Sequence, residues 1–118
     1  MSKKEVYISV DIETAGPIVG EHSMLTIGAC FVYNPAVEFT IMLQPISDKA
    51  IEEALKVSGI TLEHASKAGL PPKEAMSQFE NWLIQNMPEN AAPVFVGLNA
   101  PFDWSFINFY FLKYLNRN

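Results

Sequence analysis

Cysteine is nearly absent. Cys30 is the sole thiol in 118 residues, so no disulfide can form within the chain, which fits a reducing compartment. Basic residues are also scarce: 8 Lys and Arg stand against 13 Asp and Glu, a net charge of −5. That balance argues against broad electrostatic binding to duplex DNA, which needs a basic footprint. It leaves room for a small site that meets a nucleic-acid end through metal ions. No apolar run approaches the roughly 18 residues of a membrane span. The opening Met-Ser-Lys-Lys-Glu leads into a strand pattern broken by acids, not into a secretory signal. The expectation is a cytoplasmic protein with no membrane partner. Internal repeats, linkers and low-complexity segments are missing too. At 49% hydrophobic and 18% charged the chain is globular, and its length suits one domain, residues 1–118, with one core.

The stretch from Val6 to Thr14 has strand periodicity. Val6, Ile8, Val10 and Ile12 point one way, and Tyr7, Ser9, Asp11 and Glu13 the other. Gly16, Pro17 and Gly20 then mark a loop. A second strand is expected over 24–33 and a third over 37–43, with Asn34-Pro35 as the turn, which makes an antiparallel meander. Asp48 is the expected N-cap of a helix through Val57, with Ser47 as the competing choice. Thr61 can cap a short helix ending near Gly69, in which His64 has the character of an ordinary surface histidine. A longer helix opens at Leu70-Pro71-Pro72, with Met76, Phe79, Leu83, Ile84 and Met87 as its core stripe and Trp82 as a packing residue. Val94 to Leu98 is a short apolar strand, expected to be buried on both faces. Asn99 is the N-cap and Pro101 the first-turn residue of a last helix, apolar nearly all round and expected to be buried.

Three acids stand out in this frame. Asp11 and Glu13 share one face at the end of the first strand, where two ionised carboxylates repel each other and burial adds to the cost. A divalent cation such as Mg²⁺ or Mn²⁺ would relieve both. Asp103 lies in the first turn of the last helix, directly after the fourth strand, and strand ends with helix starts are where α/β sheets gather sites. Each acid also has a plain structural explanation. D-x-E describes many solvated strand ends, and an acid in a first turn meets the positive end of the helix dipole.

The order of motifs resembles a family. Val10-Asp11-Ile12-Glu13-Thr14 matches D-x-E-T, and Asn99-Ala100-Pro101-Phe102-Asp103 matches N-x-x-F-D. Ile27-Gly28-Ala29 and Ser58-Gly59-Ile60-Thr61 fall between them in the expected places. These are motifs of the ribonuclease H-like 3′–5′ exonucleases with four acidic residues, the group of proofreading subunits, RNase T and oligoribonuclease. The resemblance implies an α/β fold: a mixed sheet built from a three-stranded antiparallel meander plus a further parallel strand, with helices packed on it. It implies hydrolysis of phosphodiester bonds at a single-stranded DNA or RNA 3′ end with two Mg²⁺ or Mn²⁺ ions. Asp11 would bridge both ions, Glu13 would bind the one carrying the attacking water, and Asp103 the other. Thr14, Gly16, Ile18, Asn99 and Phe102 would touch the substrate.

The same resemblance exposes a gap. The family's third motif supplies a fourth Asp and, nearby on a helix, a His or Tyr that handles the attacking water. His22 is followed five positions on by Ile27 and His64 by Gly69; Tyr7-x3-Asp11 lies on the opening strand, where Asp11 is already used. The chain is therefore expected to be incomplete at its C-terminus, weakly active alone, and prone to pair with a second copy or a completing partner chain. Two other functions fit the sequence: a non-catalytic domain that binds a nucleic-acid end or a protein, and an unrelated small α/β domain with merely solvated acids.

Overall fold

A computed structural model describes residues 4–117. Its order is β1 (Lys4–Thr14), β2 (Met24–Phe31), β3 (Asn34–Met42), α1 (Glu52–Ser58), α2 (Leu62–Ala68), α3 (Pro72–Asn86), β4 (Ala91–Val96) and α4 (Ala100–Tyr110). A π-helical turn, Phe111–Leu115, extends α4. The strands form one mixed sheet in the order β3-β2-β1-β4. β1 pairs antiparallel with β2 and parallel with β4, and β2 pairs antiparallel with β3. The meander plus one parallel strand expected from the resemblance is the observed sheet. Among the described residues no helix is long and apolar enough to cross a membrane.

Period-two alternation decides which side of the sheet holds the core. Ile8, Val10 and Ile12 of β1 and Ile27, Ala29 and Phe31 of β2 are buried. They pack with Met76, Phe79 and Leu83 of α3 and with Phe106, Ile107 and Tyr110 of α4. Trp82 is a packing residue, as expected, in an aromatic group with Phe31, Phe39 and Phe79. A smaller cluster of Ala15, Leu25 and Ala65 seats α1 and α2 near the end of β1. One buried hydrogen bond ties α4 to β2: the Met24 backbone N–H donates to Tyr110 Oη at 2.8 Å.

Several expected boundaries move. The hairpin turn is Val32-Tyr33, because Phe31 pairs with Asn34, and Asn34-Pro35 begins β3. Proline is tolerated there because β3 is an edge strand. α1 starts at Glu52, not near Asp48. Its N-cap is Ile51, held extended (φ −102°, ψ 124°) while its N–H donates to Ala15 O at 2.8 Å. Thr61 caps α2 as expected, accepting from the His64 N–H. β4 spans 91–96 and is only half-buried, because it is the other edge of the sheet and pairs with β1 alone. α4 is not buried all round: Trp104 is 40% exposed, and Ile84, expected in the core stripe of α3, is 66% exposed. Both line an apolar groove of about 710 Å³ beside β4, with Leu83, Met87, Phe95 and Phe111.

Tyr110→Phe removes the acceptor for the buried Met24 N–H and little else. Leaving a buried donor unsatisfied costs about 1–3 kcal/mol. The urea midpoint should fall accordingly with an unchanged m-value; an unchanged midpoint would show that the bond contributes nothing.

Candidate metal and nucleotide site

β1 supplies two acids from its solvent-leaning face. Asp11 pairs across the ladder with Gly28, and Gly28 with Thr40, so the row beside Asp11 carries little bulk. Glu13 is opposite Thr26, just before a bulge at Thr14. Asp11 is exposed and Glu13 half-buried. The third acid comes from α4. The Asn99 carbonyl accepts from the N–H groups of Phe102 (3.0 Å) and Asp103 (3.1 Å), closing the first turn. Asn99 stands at the expected N-cap position, although its side chain makes no capping bond.

Asp103 is 8% exposed. What lets it lie there is Gly97, the residue directly after β4, which carries no functional signal in the sequence. A Cβ on Gly97 would come within 2.8 Å of Val10 O and 3.3 Å of Asp103 Oδ2. The chain after β4 is thus pressed against β1 one residue before Asp11, with the Asp103 carboxylate beside the contact. Burial pushes the Asp103 carboxyl up to about 6 from its ordinary 3.8, and the charges of Asp11 and then Glu13 push the same way. Glu13 is also raised, by burial first and by Asp11 second. The acids that form ion pairs among the described residues are Glu21, Glu52, Glu63 and Glu80, none of these three.

The three carboxylates therefore share one electrostatic neighbourhood. Among the described residues they do not close into a ready-made ligating cluster. As a donor set they are all hard oxygen, which fits Mg²⁺ or Mn²⁺ better than a softer metal.

The other expected residues divide. Ile18 is turned outward and is 50% exposed. Thr14 Oγ1 donates to Gly16 O at 2.9 Å and so shapes the loop. Gly16 is buried against His22, while Asn99 is exposed and Phe102 half-buried with its ring 5.0 Å from that of Phe106. His22, tested in the sequence only as part of a His–Asp pair, is buried in the loop after β1.

Solved structures share this architecture. The chain matches a product-bound exonuclease I with a TM-score of 0.71 and 16% identity, over 92% of this chain and 25% of that one. An Escherichia coli exonuclease I in complex with a dT13 oligonucleotide gives the same score and identity, over 92% of this chain and 24% of that one. The fold is similar to that of about a quarter of exonuclease I and is ribonuclease H-like, as the motifs implied. A more similar relative is Cap18, a 3′–5′ DNA exonuclease of Escherichia coli, 50% identical over 115 residues. The resemblance to ribonuclease H-like 3′–5′ exonucleases is thereby borne out. That match covers 98% of this chain but 62% of the relative, so the chain spans about three fifths of that protein's length. No protein-family model matches.

Asp103 sets a pH dependence in the metal-free chain. Its folded pKa lies above its ordinary value, so between 3.8 and about 6 the folded state holds more protons than the unfolded one. This contribution favours folding below about pH 4 and is lost as pH rises through about 6. In EDTA, Asp103→Asn should gain stability over wild type as pH rises from 4 to 7, by on the order of 1–2 kcal/mol after allowing for nearby water. A difference that is flat with pH, followed by thermal melts, would show that Asp103 is not held near the other acids. Gly97→Ala should destabilise the fold by about 1–3 kcal/mol, since the new methyl meets backbone rather than a flexible side-chain tip; urea unfolding measures it.

Proposed function

We propose that this chain carries the metal-binding part of a 3′–5′ exonuclease acting on single-stranded DNA. The observation that carries the reading is the buried Asp103 carboxylate beside the contact of Gly97 with β1, with its acidity depressed by burial and by the charges of Asp11 and Glu13. The 50% identity to a 3′–5′ DNA exonuclease supports the reaction class and favours DNA over RNA. Asp11, Glu13 and Asp103 would hold two Mg²⁺ or Mn²⁺ ions. When bound, such a pair supplies charge to the attacking and leaving oxygens of an in-line displacement at phosphorus.

The chain's own residues do the rest. Burial of Asp103 keeps one carboxylate poorly solvated, so it has much to gain from a cation. Asn99, through its carbonyl, fixes the turn that presents Asp103, and the half-buried Phe102 stands beside it as an apolar neighbour for a nucleotide. Ile18 offers a second apolar contact from the loop after β1. None of the three acids is free to serve as general base while it holds a metal. Hydrolysis by the 118-residue chain alone is accordingly proposed to be slow. The apolar groove beside β4 is where a second copy or a completing partner chain would pack.

Mn²⁺ should raise the melting temperature of the chain by about 5 °C or more, as expected for a ligand bound only by the native state. Asp11→Asn should abolish that shift. A 5′-labelled single strand should shorten slowly from its 3′ end, only with Mn²⁺ or Mg²⁺. Equal melting temperatures with and without metal would refute the metal site. A metal shift with tight 3′-end binding that survives Glu13→Gln, but with no shortening at all, would favour a non-catalytic end-binding domain.

A further inference from the structure

The loop between β1 and β2 is built around an imidazole. His22 is 7% exposed. Its Nδ1 accepts from the Ile18 N–H at 2.9 Å, and its own backbone N–H donates to Ile18 O at 2.8 Å. Both backbone groups of Ile18 thus bond to His22, and its carbonyl also accepts from the Glu21 N–H at 3.2 Å. On the other side the ring lies directly against Gly16. A Cβ there would fall 2.6 Å from Cγ and Nδ1 of His22 and 2.7 Å from Cε1, far inside van der Waals contact. Gly16 therefore has no side chain because the imidazole fills the space that one would need. The loop is closed by the Ala15 N–H donating to Ser23 O at 2.8 Å. Its tip reaches the helix that carries Asp103, since a Cβ on Gly20 would touch the Phe109 ring at 3.6 Å.

The consequence is concentrated on Ile18. Its backbone is clamped while its side chain stands outward, four residues past the carboxylate strand. An exposed apolar side chain on a floppy loop would lose conformational entropy when a ligand ordered it, and prior ordering removes that cost. We infer that His22 is a positioning residue: it holds the loop so that Ile18 forms a preset apolar platform for the sugar and base of a terminal nucleotide. This rests on the exonuclease reading of the neighbouring acids and adds to it the residue that sets selectivity for a free strand end.

The test uses the full chain with Ca²⁺, an oxygen-preferring ion that fits the same donors with longer bonds. Binding of a 5′-fluorescein oligothymidylate is followed by anisotropy and competed with circular single-stranded DNA, which has no end. Wild type should prefer the linear strand. His22→Ala should bind the linear strand about tenfold more weakly and bind the circle as before, so the preference disappears. His22→Asn, whose Oδ1 can accept from the Ile18 N–H, should recover the preference to within about threefold. Gly16→Ala should lose it as His22→Ala does, but add nothing in the His22→Ala background, where the space is already free. An unchanged preference in His22→Ala, or equal weakening for linear and circular strands, overturns the inference. Mn²⁺ stabilisation of wild type without any end preference also overturns it and leaves the metal site standing. Loss of both removes the two readings together.

Discussion

A hydrogen atom in place of a methyl group at Gly97 is the constraint on which the site depends. It allows the chain leaving β4 to lie against the Val10 carbonyl, and it leaves the Asp103 carboxylate alongside. Without that approach α4 would start farther from β1, and Asp103 would be independent of the Asp11 and Glu13 pair. With it, burial and the charges of Asp11 and Glu13 raise the cost of ionising Asp103, and the stability of the fold becomes linked to protons. The repulsion is a standing cost that the core must offset. It does so through β1, whose alternate residues Ile8, Val10 and Ile12 are buried against α3 and α4. One strand therefore serves as the middle of the core on one face and as half of the site on the other.

The hydrogen bond from Met24 to Tyr110 complements this arrangement from the opposite end of α4. The helix is fixed at its first turn by the close contact at Gly97 and near its last turn by the phenol. Burial raises the Tyr110 hydroxyl above its ordinary range, so the group stays protonated and neutral in the core. Two fixed points along one helix leave Asp103 little freedom to drift, and a metal site built on a helix and a strand is held more tightly than one built on loops.

Much of this was legible in the residues. The alternation in β1, the cap at Thr61 and the proline-led start of α3 come from local chemistry, and local chemistry is what a sequence displays. Asp11, Glu13 and Asp103 could be singled out because their spacing and their places at element ends are one-dimensional facts. The errors share a different origin. Ile51 stays extended because Ala15 accepts its N–H, a contact across 36 positions. β4 was expected to be buried on both faces because its residues are apolar, yet sheet position is decided by which strands pair, and β4 pairs on one side only. Ile84 and Trp104 have core-like character but line an open groove for the same reason. Gly97 and His22 act through close approach, and a glycine beside a strand or a histidine in a loop gives no hint of what will stand next to it.

The pairing of β1 with β4 also orders events in time. β2 and β3 are joined by a two-residue turn, whereas Ser9 finds Val96 across 87 intervening steps of the chain. Contacts that require long loop closure form later than neighbouring ones. The meander can thus assemble with Asp11 and Glu13 already side by side, while Asp103 arrives only when β4 docks. A nascent or partly refolded chain would present two acids and no third, and competence for metal would coincide with the last step of folding. A metal-binding signal that trails the appearance of the hairpins during refolding would record that sequence.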